Sequence, residues 1–206
     1  MDPGKLITIE GIDGAGKSTL AAGLARTLAN RGIRVQLLRE PGGVRAAERI
    51  RELVSDPELQ IGARAEALLY AAARAQLVEE ALRPLLNDGT WVLLDRFVDS
   101  SLAYQGGGRG LGIDAVREIN EFAIQGLRPD RTLLLVIDPG DGRARSQARG
   151  GPPDRLENEQ REFFERTADA YRTLAEREPE RIRMLDASQP PPAVLQAALD
   201  AISGLI

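Results

Sequence analysis

The 206-residue chain contains no cysteine and no histidine. The first absence excludes disulfides, thiolate metal sites and a cysteine nucleophile. The second removes histidine general bases and the usual zinc constellations. Chemistry is left to carboxylates, arginine, lysine, hydroxyls and a hard cation such as magnesium. No run of 18 uninterrupted apolar residues occurs, and the opening MDPGKLITIEG lacks the apolar stretch and cleavage pattern of a secretory signal. These absences predict a cytoplasmic protein without membrane association. A basic surplus is missing too, since the formal charge of −4 gives no global attraction for nucleic acid. What is present, 43% hydrophobic and 28% charged residues, suits a globular protein with a substantial core, and the length predicts one domain over 1–206.

Short aliphatic runs at 6–10, 33–38, 91–95, 132–138 and 181–185 read as strands. Helical patterns fill 17–30, 60–86, 113–126, 158–177 and 191–204. This alternation predicts an α/β fold with a central parallel sheet. TLLLVID (132–138) is apolar on both faces, as a strand covered by helices on each side must be. One segment departs from the pattern: DPGDGRARSQARGGPPDRLEN (138–158) is poor in large apolar residues and rich in Gly, Pro and Arg. It reads either as a solvated loop or as a lid over about 139–157.

Gly11, Gly16, Lys17 and Ser18 fit GxxxxGK[ST] between an apolar strand and an Ala- and Leu-rich helix, the context this phosphate-binding pattern requires. Its glycines let backbone N–H groups converge on phosphate at a helix N-terminus. Lys17 can reach the outer phosphates and the Ser18 hydroxyl can ligate magnesium. Asp13 is unusual inside an anion-binding loop. It either caps a turn or faces a second substrate's hydroxyl or a magnesium-bound water.

Asp95 and Arg96 follow the WVLLD strand at its C-terminal end, where ligands collect in open α/β sheets. Asp95 can hold magnesium through water and Arg96 can clamp phosphate; a surface ion pair is the plainer reading. Ser101, Tyr104 and Gln105 precede a glycine-rich stretch that either reads a base or sugar or is simply a flexible loop. Tyr70 and Arg74 are four apart on one helix face, suited to stacking on a base and donating to its carbonyl. Arg143, Arg145, Arg149 and Arg155 lie in or beside the polar segment. They are either solvated or the charge-stabilising groups of a closing lid.

Taken together, EGIDGAGKSTL (10–20), LLREPGG (37–43), LLYAAARAQLVE (68–79), LLDRFVDSSLAYQGGGRG (93–110), GLRPDRTLLLVID (126–138) and RSQARGGPPDRLE (145–157) resemble the thymidylate kinase family. The resemblance implies a P-loop nucleoside monophosphate kinase fold with a five-stranded parallel sheet, a homodimer, and transfer of the γ-phosphoryl group of ATP to dTMP with Mg2+. It implies ATP contacts at Gly11, Ile12, Asp13, Gly14, Ala15, Gly16, Lys17, Ser18 and Thr19. Asp13, Arg39 and Arg96 fall to the acceptor's sugar and phosphate, and Tyr70, Arg74, Ser101, Tyr104 and Gln105 to its nucleoside. Ser18, Asp13, Asp95 and Glu157 fall near the metal. Tyr70 stands where the family commonly has phenylalanine, and Val44 where threonine often follows REPGG. Gly14-Ala15 replaces the loop arginine of some relatives, which implies that lid arginines, Arg149 and Arg145 first, serve the transfer. A kinase for another nucleoside monophosphate and a nucleotide-hydrolysing switch are the alternatives.

Overall fold

A computed structural model describes residues 3–148, 150, 155–156 and 159–206. Five strands, β1 (Leu6–Glu10), β2 (Val35–Arg39), β3 (Trp91–Asp95), β4 (Arg131–Val136) and β5 (Ile182–Asp186), form one sheet in the order β2-β3-β1-β4-β5. Every pairing is parallel. The helices are α1 (Lys17–Asn30), α2 (Arg45–Ser55), α3 (Ala63–Leu77), α4 (Arg83–Asn87), α5 (Val98–Ser101), α6 (Ile113–Ile124), α7 (Pro139–Ala148), α8 (Arg161–Arg177) and α9 (Pro191–Ile202).

The period-2 alternation of the strands splits the core into two layers. Leu6, Val92, Leu94 and Leu134 pack on one face with residues of α3 and α8, including Leu77 and Leu174. Ile7, Ile9, Leu93, Leu133 and Leu135 pack on the other with α1 and α9, including Leu24 and Ala198. Both faces of the central strands are therefore covered, as their unbroken apolar runs require. Among the described residues no helix is long and apolar enough to cross a membrane.

Besides α2, which is absent from the expected helices, three segments differ from the expectation. The helix expected over 60–86 begins at Ala63 and passes through a π-turn, Val78–Leu82, before α4. Pro84 has no N–H to give to the preceding turn, and a widened turn is one way a helix accommodates that loss. The glycine-rich stretch is not a flexible loop: α5 continues as a π-helical segment, Leu102–Gly108. A Cβ on Gly107 would lie 2.5 Å from Ala170 Cβ, and one on Gly108 2.6 Å from the Phe163 ring, so these glycines serve close packing against α8. The start of the polar segment is likewise helical, as α7. Asp138 Oδ1 accepts from the Gly140 N–H at 2.8 Å, and Pro139 suits the first helical position. Arg149 and Glu157 lie outside the described residues.

Candidate active site

β1 ends at Glu10 and the chain turns through residues 11–16 into α1. Gly16, in the left-handed region at φ 96°, precedes Lys17 with no side-chain cap. The first intrahelical bond is from Leu20 N to Gly16 O, so the N–H groups of the opening turn are left for an anion. The loop has little room to move. A Cβ on Gly14 would lie 1.9 Å from the Gly142 carbonyl oxygen, so α7 rests its backbone directly on the phosphate loop.

Lys17 is buried and its ammonium donates to the carbonyls of Gly11 and Ile12, both at 3.1 Å. Burial first, then the neighbouring Arg96 guanidinium, push its pKa down to about 8, against the pull of Asp13, Asp95 and Glu10. An arriving phosphate favours the ammonium and raises that value. Nucleotide binding at pH 8 is therefore expected to take up about half a proton, and much less at pH 6.5. Calorimetry in buffers of different ionisation enthalpy reads this directly, and equal uptake at both pH values would remove Lys17 as its source.

Arg96 leaves β3 in the left-handed region, φ 71°, a conformation costly for a residue with a Cβ and typical of functional sites. Its guanidinium donates to Asp13 Oδ1 at 2.6 Å and to the Gly11 carbonyl, Ser100 Oγ and Tyr104 OH at 3.2 Å each. It also lies 4.9 Å from the Tyr104 ring centre. Tyr104 OH donates to Asp13 Oδ2 at 3.2 Å, and Lys17 Nζ stands 3.8 Å from Asp13 Oδ1. Burial alone would raise the Asp13 pKa, yet Arg96 and Lys17 hold it well below the carboxylate range. Asp13 is thus an ionised hinge between two cations.

Two cavities meet there. The larger, about 1030 Å³, runs from Asp13–Thr19 past Arg39, Asp95 and Arg145 to the segment that opens α9. The smaller, about 110 Å³, is lined by Asp13, Tyr70, Arg74, Arg96, Ser101, Tyr104 and Gln105, with Glu40 and Arg51. Of the sequence-derived residues, Asp13–Thr19, Asp95 and Arg96 line the larger cavity and the nucleoside set lines the smaller, whereas Gly11 and Ile12 line neither. Arg39 does not enter the smaller one; it pairs with Glu48 at 3.1 Å. Arg51, which sequence reasoning missed, borders both cavities and donates to the Pro41 carbonyl.

Arg74 is fully buried with all five donors engaged: Glu40 Oε2 takes two, at 2.8 and 2.5 Å, and Ser101 Oγ, the Phe97 carbonyl and Asn120 take one each. A ligand carbonyl at this arginine has to share or displace one of these acceptors. Burial pushes the Glu40 carboxyl up to about 7 despite Arg74, and its Oε1 has no partner among the described residues. Gln105 donates to buried Glu66 at 2.8 Å, which also receives Arg109 and Arg155. Arg155 is engaged by Glu66 and the Val54 carbonyl and does not line the larger cavity, whereas Arg145 donates to the Ala187 carbonyl at its edge.

Among the described residues no cluster of three acidic side chains is ready for a metal. The local donors nonetheless fit magnesium. Ser18 Oγ lies 3.3 Å from Asp95 Oδ2, and Asp95 Oδ1 is buried without a partner among the described residues. A hydroxyl and a carboxylate beside a phosphate loop are the few protein oxygens that a largely water- and phosphate-ligated Mg2+ uses.

A strand, a lysine-bearing phosphate loop and a helix, joined through Asp13–Arg96 to a second polar pocket, define the P-loop nucleoside monophosphate kinase class. The family model described as thymidylate kinase matches residues 9–198. The chain is 46% identical to the thymidylate kinase of Lactobacillus delbrueckii subsp. bulgaricus over 97% of its length and 95% of that protein. It is 46% identical to that of Chlorobaculum parvum, over 97% and 96%, and 48% identical to that of Deinococcus radiodurans, over 92% of each chain. The chain belongs to the thymidylate kinase family.

Proposed function

We infer that this chain is an ATP-dependent dTMP kinase that passes the γ-phosphoryl group of ATP to dTMP, giving ADP and dTDP for dTTP synthesis. The observation that carries the reading is the shared wall of the two cavities: Asp13 and Arg96 border both, so donor and acceptor phosphates meet across one ion pair.

Lys17 exchanges its two carbonyl contacts for the outer phosphates of ATP, while the N–H groups of the α1 opening turn hold the rest. Ser18 and Asp95 would hold Mg2+, which when bound would neutralise phosphate charge. Arg96 and Arg51 receive the dTMP phosphate. That phosphate is already ionised, so the transfer needs no strong general base, in keeping with a chain that lacks histidine. Tyr104, fixed on Asp13, stands at the deoxyribose; Tyr70, Arg74, Ser101 and Gln105 surround the base. Arg145, on α7, and Arg149 supply positive charge to the moving group.

A homodimer is supported by exposed apolar side chains on three helices that pack side by side: Leu53 on α2, Leu68 on α3 and Phe122, 89% exposed, on α6. A sedimentation mass of a single chain would remove that part of the reading. The reading extends to a cytoplasmic activity whose partners are ATP and dTMP rather than nucleic acid or a membrane.

The test is ADP release with ATP, Mg2+ and each nucleoside monophosphate in turn, beside a no-acceptor control. Turnover with dTMP, weaker with dUMP and absent with the others, is expected. Preference for another monophosphate would keep the kinase and discard the base assignments. ADP release without any acceptor would point to the hydrolytic switch.

A further inference from the structure

Glu10 is the last residue of β1 and takes no part in the mechanism above. It is 0% exposed, an expensive place for a carboxyl group unless its oxygens are well used. They are. Oε1 accepts from the Phe97 N–H at 2.8 Å, and Oε2 accepts from Ser100 Oγ at 2.6 Å and Tyr171 OH at 2.9 Å. Two of these donors flank a turn that has no glycine where one is expected. Arg96, at φ 71°, immediately precedes Phe97, and Ser100 Oγ in turn accepts from Arg96 Nη1 at 3.2 Å. One buried carboxyl thus holds the backbone just after Arg96 and, through a single hydroxyl, the guanidinium itself. Tyr171, on α8, donates to the same oxygen, with its OH 2.8 Å from Ser100 Oγ.

We propose that Glu10 is a positioning residue for acceptor binding, fixing both the strained backbone and the guanidinium of Arg96 at the shared wall, where the acceptor phosphate is received. This rests on the reading that Arg96 receives that phosphate. A left-handed arginine relaxes by rotating its backbone, and such a rotation swings the guanidinium off Asp13 and out of the shared wall. The Glu10 bond to Phe97 N opposes that rotation at the peptide, and the Ser100 link opposes it at the side-chain end. Lys17, by contrast, is held by the Gly11 and Ile12 carbonyls and by none of the three Glu10 hydrogen bonds, so loss of Glu10 falls more heavily on the acceptor than on the nucleotide donor.

Glu10→Gln replaces one acceptor oxygen by an NH2 group, so either Phe97 N–H or the two hydroxyls lose their acceptor. The expected result is a KM for dTMP raised about tenfold with the KM for ATP changed less than about twofold. A double-mutant cycle then separates positioning from bulk destabilisation: in an Arg96→Ala background, Glu10→Gln adds less than about twofold to the loss in kcat/KM for dTMP. Ser100→Ala, which leaves the buried carboxyl and the Phe97 bond intact, serves if Glu10→Gln does not fold. It should raise the dTMP KM about threefold alone and add nothing beside Arg96→Ala. A direct contact between Ser100 and the acceptor would persist in that background. Equal changes in both KM values, or full additivity in either cycle, would overturn the proposal. The wild-type acceptor panel is run first, and the cycles use whichever monophosphate it selects, so a wrong acceptor and a wrong role for Glu10 give different results.

Discussion

Lys17→Ala is expected to lower turnover by about three orders of magnitude while leaving the fold as stable as before. A preorganised donor aimed at charge that develops in the transfer contributes a factor of about 10² to 10³ in a water-poor site, and a full cation at the transferred group lies at or above the top of that range. Lys17 is such a group: it is buried, within reach of the loop that receives the phosphates, and preset by two carbonyls at 3.1 Å. The stability half of the expectation follows from its pKa. Folding moves Lys17 from 10.5 down to about 8, so the charged form is disfavoured by the fold at neutral pH, and stability attributable to this group rises only as pH climbs from about 8 towards 10.5. Removing the ammonium removes that cost at pH 7. The melting temperature should hold or rise, and its alkaline dependence should flatten. Single-turnover kinetics and thermal melts at pH 7 and pH 9 check both halves; wild-type turnover in the variant would remove Lys17 from the transfer.

Legibility in the sequence divides along a physical line. β1, β3 and α1 have the bounds read from the chain, because unbroken aliphatic runs and a glycine loop feeding an Ala-rich stretch admit few other structures. α2 is absent from the helices expected from the chain although Ala47, Ile50 and Val54 of RAAERIRELVS recur at helical spacing; the many charged residues between them obscure that period. That omission concealed Arg51, whose place beside both cavities exists only once α2 has formed. The π-helical Leu102–Gly108 reversed a local preference, since three consecutive glycines favour a loop until α8 packs against them. Lys17, Ser18, Asp95 and Arg96 were legible because motif and strand end specify the chemistry locally. The Arg74–Glu40 pair was not, as its partners are 34 residues apart and meet only across the folded wall.

Arg96→Ala should lower kcat/KM for dTMP by about a thousandfold and shift the acid limb of the pH profile upward. The first effect combines a lost charge-assisted contact to the acceptor phosphate with a site left disordered around it, each worth tenfold or more. Lysine at this position should restore little, since a single ammonium cannot donate at once to Asp13, Gly11, Ser100 and Tyr104 as the guanidinium does. The second effect follows from Asp13. Burial works to raise its pKa, and Arg96 is the stronger of the two cations that hold it down. Without Arg96, only Lys17 at 3.8 Å and the Tyr104 hydroxyl at 3.2 Å are left to oppose burial, so Asp13 takes up its proton at a higher pH than in the wild type. Lys17 moves the same way, because Arg96 depresses its pKa as well; its ammonium therefore persists to higher pH. Both limbs of the profile should thus travel towards alkaline pH while its height collapses. A simple loss of phosphate affinity would lower the height and leave the limbs in place, and that outcome would separate Arg96 from the electrostatics of Asp13 and Lys17.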